Sequence, residues 1–204
     1  RFDHGAAHLG VSGGAAARVG LLDASRTALF VCDVQERFAP LITCFDSVTH
    51  VARKMMTAAT HLDMPVVVTE QYVKAFGHTV AALDTSGATT KVFEKTRFSM
   101  CTDDVLPLVA DKDAVLLVGI EAHVCVQQTV LDLLVAGKQV HVLADGVSSM
   151  KATDRAFAFE RMRQAGAFVT TSQSALFMLM GDAKHPKFKA LSALEKDTPP
   201  NTGL

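Results

Sequence analysis

The chain has 204 residues, 49% of them apolar, and sets 20 Lys and Arg against 21 Asp and Glu for a net charge of -1. That length suits one domain with a sizeable core. The balanced charge, a single Tyr and no Trp give no basis for a nucleic-acid surface, which needs a basic stripe and stacking aromatics. No apolar run nears the about 20 residues of a membrane span.

In chain order, residues 1–24 come first as an expected flexible tail. They are rich in Gly and Ala, with Ser12-Gly13-Gly14 before Ala15-Ala16-Ala17, and show neither a strand nor a helix period. The chain opens on Arg rather than Met, as processed sequence does. Arg1 and Arg18 suit a mitochondrial transit segment, but Asp3 and the scarce serines count against one, so the expected location is cytoplasmic with a mitochondrial alternative. These glycines follow no strand and make neither a Rossmann loop nor a P-loop.

The folded domain is expected over residues 25–190. Short apolar runs with β-branched residues predict buried parallel strands at 27–34, 65–69, 91–94, 114–118, 139–143 and 167–171. Helical patterns lie between and after them at 46–62, 102–110, 123–136, 154–165 and 172–180. Gly137 and Gly166 stand where C-terminal caps belong, and Asp145-Gly146 reads as a turn. Six strands alternating with helices predict an α/β fold, a doubly wound three-layer α/β/α sandwich with a mostly parallel six-stranded sheet. Residues 191–204, ending Pro199-Pro200-Asn201-Thr202-Gly203-Leu204, read as a second tail.

Chemistry gathers at three strand ends. Cys125 lies where the run 114–118 turns into a helix, and a helix start favours thiolate over thiol. Asp33 closes an apolar strand, where an unpaired carboxylate is costly and so caps a loop, binds a metal or acts as a base. Lys95 ends a strand of alternating charge. Singly, each has a plainer role: a small buried hydrophobe, a loop cap, a solvated cation. Together they stand where parallel α/β sheets assemble ligand sites. The cysteines, at 32, 44, 101 and 125, show no C-x-x-C pair and no zinc spacing, which fits free thiols in a reducing compartment.

Four segments in order carry a resemblance: Cys32-Asp33-Val34-Gln35-Glu36-Arg37-Phe38, Thr69-Glu70-Gln71-Tyr72, Phe93-Glu94-Lys95-Thr96-Arg97-Phe98-Ser99-Met100 and Gly119-Ile120-Glu121-Ala122-His123-Val124-Cys125-Val126. With them the chain resembles the isochorismatase-like cysteine hydrolases, most of all the eukaryotic isochorismatase-domain-containing proteins. The resemblance implies Asp33 as general base, Lys95 as electrostatic partner and Cys125 as nucleophile. It also implies a cis Ile120–Glu121 peptide. The backbone N–H groups of Glu121 and Cys125 are expected to hold the oxyanion, and Gln35, Phe38 and Tyr72 to contact the substrate. Leu41, Phe45 and Phe76 are further candidates for the pocket wall. The implied reaction cleaves a C–N bond of a small amide or carbamoyl compound through a Cys125 thioester. Hydrolysis of an isochorismate-type vinyl ether is the family's other chemistry, and a non-catalytic binding protein keeping the fold is the reading from outside it.

Some nicotinamidases of this family hold a metal with an Asp-x-His pair near the second strand. Here Glu70-Gln71-Tyr72-Val73-Lys74-Ala75-Phe76-Gly77-His78 has one His and no such pair, so no metal and no cofactor are expected, and nicotinamide is disfavoured as substrate. The expected partners are a small-molecule substrate and further copies of the chain. Mean hydropathy of +0.24 and the all-round apolar helix at 172–180 predict a homo-oligomer with that helix as contact.

Overall fold

The computed structural model describes residues 19–197. Its six-stranded sheet runs β3-β2-β1-β4-β5-β6, built from β1 (Thr27–Cys32), β2 (Val66–Gln71), β3 (Thr90–Lys95), β4 (Ala114–Ile120), β5 (Gln139–Ser148) and β6 (Phe168–Thr170). Every neighbouring pair is parallel. The helices are α1 (Phe45–His61), α2 (Val73–Phe76), α3 (Gln127–Val135), α4 (Ala152–Gln164), α5 (Ser172–Met180) and α6 (Phe188–Ala193). Among the described residues no helix is long and apolar enough to cross a membrane.

Both faces of the central strands are covered, which is why β1 and β4 are buried from end to end and read as continuous apolar runs rather than alternating ones. Side chains still alternate between faces. Leu29 and Val31 join Leu116, Val118 and the α1 residues Val48, Val51 and Met55 in one core layer. Ala28, Phe30 and Cys32 join Leu117, Cys125 and the α3 residues Val130 and Leu133 in the other. Cys32 and Cys125 therefore share a side of the sheet. The strand order reverses between β1 and β4, and the crevice at their carboxyl ends is where this architecture opens to ligands.

Gly119 permits that junction. Its φ is 141°, and a Cβ there would lie 2.3 Å from the Cys32 carbonyl oxygen and 2.6 Å from the Cys32 Cβ.

The segment 143–146 is not the turn expected at Asp145-Gly146. Pairing of β4 with β5 jumps from Leu117↔Val142 to Gly119↔Val147, so β5 bulges here and continues to Ser148. Each bulged group has a task. The Arg155 guanidinium donates to the Ala144 carbonyl and, at 2.7 Å, to that of Val147. The Asp145 carboxylate accepts from the Ser172 N–H at 2.8 Å at the start of α5. Gly146 leaves space for Val51 of α1, whose Cγ1 would lie 2.6 Å from a Cβ.

Four further differences have local causes. The helix expected at 102–110 shrinks to a 3-10 turn over Leu106–Val109, because Pro107 lacks an N–H and disfavours α backbone at Leu106. The helix expected at 123–136 opens with a wider π turn over Ala122–Val126 before α3, closed by Val126 N–H donating to Glu121 O at 3.3 Å. The second tail does not begin at 191: Leu191 packs with Ala58, Leu176 and Met180, and Glu195 pairs with buried Lys54 at 3.1 Å. The first tail, expected over 1–24, is packed where it is described: Leu22 and Ala24 lie against the α1 core layer and Asp23 caps a 3-10 turn over Ala24–Arg26; residues 1–18 and 198–204 lie outside the described residues.

Two predictions follow from packing. Gly119→Ala forces β1 and β4 apart and strains its own backbone, and should lower stability by roughly 3 kcal/mol; urea denaturation that finds a change under about 0.5 kcal/mol would contradict the close approach. His141 is 2% exposed, stacks on Phe168 with ring centroids 4.9 Å apart, and burial lowers its pKa to about 4. The unfolded chain takes up this proton below the ordinary value of about 6.5 while the fold refuses it. Stability from this group is therefore complete above that value and is lost as pH falls toward 4. The fall in melting temperature between pH 7 and pH 5 should be smaller in His141→Phe than in the parent.

Candidate functional site

Asp33 is the first residue past β1, and its φ of 55° turns the chain off the strand. Its N–H still donates to the Thr69 carbonyl at 3.1 Å, so the carboxylate points into the crevice in register with β2. Oδ1 accepts from Thr69 Oγ1 at 2.8 Å, and Oδ2 accepts from Lys95 Nζ at 2.8 Å and from the Cys32 thiol at 3.5 Å. Lys95, from the end of β3, also donates to Gln71 Oε1 at 2.9 Å and to the carbonyls of Arg97 and Phe98 at 3.1 and 2.9 Å.

Both side chains of this ion pair are 1% exposed. Burial works against the ammonium, but Cys32, Asp33 and Cys125 outweigh it and raise the Lys95 pKa above its ordinary value. Burial, the contact with Cys125 and the Asp33 charge push the Cys32 thiol well above the usual thiol range. Cys32 is thus a neutral thiol at physiological pH, and the Asp33 carboxylate is the side chain paired directly with the Lys95 ammonium. Removing one member of such a pair costs about 3–5 kcal/mol, because the other is left buried and uncompensated.

Cys125 comes from the other side of the reversal point, in the π turn after β4. It touches Cys32 and lies within the electrostatic reach of Lys95. At 7% exposed it is the most accessible of the three, against 1% for Asp33 and 6% for Lys95. The turn is anchored at its carbonyl, which accepts from Thr129 Oγ1 at 2.7 Å, while that hydroxyl accepts from the Met100 N–H at 2.9 Å. Thr129 thereby ties the thiol's backbone to the segment after Lys95.

The Ile120–Glu121 peptide, expected to be cis, is trans, as is every peptide among the described residues. Trans avoids a cost of about 3 kcal/mol, and the reversal after β4 comes instead from Gly119 and from Glu121 at φ 55° and ψ 66°. The Glu121 carboxylate faces His123 Nδ1 at 3.3 Å, and burial raises its pKa. His123 also reaches Ser149 Oγ at 3.2 Å and Asp154 at 3.8 Å. Its ring is engaged with those three groups.

Gln35 is not free to contact a substrate. It is fully buried, and its carboxamide grips the β2 end: Nε2 donates to the Gln71 and Gly77 carbonyls at 2.9 and 2.7 Å, while Oε1 accepts from the Gln71 N–H at 2.6 Å. Phe38 stacks on Phe76 with centroids 4.4 Å apart. Phe45, the first residue of α1, is core, and Leu41 is 48% exposed. Tyr72 is 51% exposed and, with Lys74, Lys95, Thr96, Arg97 and Thr102, borders a cleft of about 490 Å³ beside the ion pair.

His78 pairs with Glu70 at 3.1 Å, and Glu70 also accepts from the Thr79 N–H at 2.7 Å. These contacts hold the loop after α2 against β2. Among the described residues no three His, Cys, Asp or Glu side chains converge as a metal site.

Sequence reasoning assigned no role to Thr69, Gln71 or Cys32. The first two were legible in part, since polar residues two apart at the end of a buried run face the same side. Their partners depend on the β1–β2–β3 register.

A family model described as the isochorismatase domain matches residues 27–174. Isochorismatase domain-containing protein 2 of Xenopus laevis is 45% identical over 190 residues, 92% of each chain. Isochorismatase domain-containing protein 1 of Salmo salar is 44% identical over 91% of this chain and 66% of its own length. The solved structure of MAR1 ribonuclease from Caenorhabditis elegans superposes with a TM-score of 0.86 at 46% identity, covering 90% of this chain and 96% of that one. A domain match across most of the folded region, with the Xenopus and Caenorhabditis relatives covered over 92% and 96% of their own length, places this chain in the isochorismatase family.

Proposed function

We propose that the protein is a cysteine hydrolase cleaving the C–N bond of a small amide or carbamoyl compound. The observation that carries this reading is a buried carboxylate–ammonium pair sealed against two thiols at a sheet reversal point. A scaffold has no use for such a pair, whose burial costs stability that apolar residues would not.

Asp33, ionised, accepts the Cys125 proton, and Lys95 stabilises the thiolate as it forms. The sulfur attacks the substrate carbonyl carbon. Backbone N–H groups of Glu121 and Cys125 stabilise the oxyanion, an effect of about 3 kcal/mol per donor where such holes have been dissected. The C–N bond then breaks, the amine leaves with the proton held by Asp33, and a thioester remains. Water, deprotonated by Asp33, cleaves the thioester and restores the thiol. The isochorismate-type reaction has no need of Cys125, which favours the amide chemistry.

The Caenorhabditis relative is described as a ribonuclease. Balanced charge and few aromatics argue against an RNA groove here, and the test carries an RNA arm. A screen of small amides, ureides, carbamoyl compounds and a mixed-sequence RNA should find turnover among the first three; cleavage of the RNA alone would replace this reading. On the substrate found, Asp33→Asn should lower kcat at least about 100-fold below its own melting temperature. Near-parental turnover in that variant would remove Asp33 from the mechanism. Iodoacetamide near pH 6 should label Cys125 stoichiometrically, whereas an inert thiol would favour a binding protein.

We also propose a homo-oligomer. The inner face of α5 packs through Ala175, Leu176 and Leu179, yet Phe177 and Met178 stay 43% and 36% exposed, and Phe157 on α4 is 67% exposed. Such a surface suits burial against another copy. Light scattering should give a multiple of the 21.8 kDa chain mass; a monomer at micromolar concentration would refute it.

A further inference from the structure

Gln71 is a buried side chain to which the proposed reaction gives no part. It ends β2, directly opposite Lys95 in the β2–β3 register, and is 8% exposed. Its Oε1 accepts from Lys95 Nζ at 2.9 Å, its Nε2 donates to the Thr96 carbonyl at 2.9 Å, and its backbone N–H is taken by Gln35. Neither side-chain contact reverses: an ammonium only donates and a carbonyl only accepts, so the amide has one orientation. Gln35 fixes the backbone from which it projects.

A glutamate of the same length would also reach Lys95. It would place two carboxylates on one ammonium, and the net charge of the buried group would fall from zero to -1. Like charge nearby disfavours formation of a further anion.

We infer that Gln71 is a positioning residue that holds Lys95 with a neutral acceptor, so that the ammonium's charge is shared only between Asp33 and the Cys125 thiolate. The inference rests on the proposed role of Lys95. The charged and titratable groups around these two side chains are Cys32 from β1 and Asp33 just past it, Glu94 and Lys95 from β3, Arg97 from the turn after it, and Tyr72, Lys74 and Asp104 along the adjoining cleft. Arg97 is turned outward to Asp132 at 2.8 Å. From the turn that carries Cys125 come Glu121, which pairs with His123 at 3.3 Å, and His123, which reaches Ser149 and Asp154.

The test reads the thiol and needs no substrate. Iodoacetamide labelling of Cys125, followed by peptide mass spectrometry over about pH 5 to 10, gives a midpoint for thiolate formation. Gln71→Glu should raise that midpoint by about one unit. Gln71→Met has the same length and no charge, and should leave it within about 0.3 unit while lowering labelling at its plateau less than twofold. The double variant Asp33→Asn, Gln71→Glu restores one carboxylate per ammonium; its midpoint should return to within about 0.3 unit of the parent. It also serves if Gln71→Glu alone does not fold.

Equal shifts in the Glu and Met variants would show a merely structural role and overturn the inference, as would a double variant displaced by a full unit. Lys95→Met separates the two levels. A raised midpoint there with none in Gln71→Glu rejects Gln71 alone, and an unmoved midpoint in Lys95→Met rejects the reading of Lys95 on which it rests.

Discussion

An ammonium and a carboxylate, each 1% exposed and 2.8 Å apart, make a demand that much of the surrounding structure answers. Taking both ions out of water costs several kcal/mol apiece, and their attraction compensates only when the remaining lone pairs and protons are also matched. Lys95 accordingly has four acceptors, Asp33, Gln71 and the carbonyls of Arg97 and Phe98, and Asp33 has Thr69 on its second oxygen. These partners come from β1, β2, β3 and the turn after β3. The pair thus binds three strand ends together and sets the path of the chain beyond them.

The thiol is brought to this pair by topology. β1 and β4 are adjacent because the strand order reverses between them, and glycine at 119 lets them close at the Cys32 end. The chain then turns through Glu121 and a π turn that carries Cys125 onto the same side as Cys32. Such wide turns occur often at functional sites, since they re-aim one side chain without ending the helix. On the far side of β4 the bulge in β5 is held by Arg155, its Asp145 carboxylate takes the first N–H of α5, and its Gly146 makes a seat for Val51 of α1.

The strands were legible because the sheet is buried on both faces: runs such as Leu29 to Val31 or Val115 to Val118 must be apolar wherever helices cover them. Boundaries went astray where a local rule competed with the pattern. Pro107 cut a helix whose apolar spacing looked sound. Asp145-Gly146, a turn by composition, was absorbed into β5 because Arg155 of α4 and Ser172 of α5 take up the polar groups of the bulge and Val51 of α1 fills the space of the missing side chain. Leu191 and Glu195 looked like tail and are held by Ala58, Leu176 and Lys54, partners more than a dozen residues away in sequence.

The same division runs through the site. Strand-end position and residue type singled out Asp33, Lys95 and Cys125, because a carboxylate closing an apolar strand is costly without a partner, a thiol at a helix start is favoured as thiolate, and the carboxyl ends of parallel strands are where such sheets assemble sites. Identity along the chain carries no register, however. That Gln35 grips the β2 backbone, that Gln71 joins Asp33 as a side-chain acceptor for Lys95, and that Ile120–Glu121 is trans with the turn made at Glu121 were decided by the tertiary structure. Burial patterns and propensities are local and can be read residue by residue; hydrogen-bond partners at the meeting of four strand ends depend on how those strands align, which only the packed sheet determines.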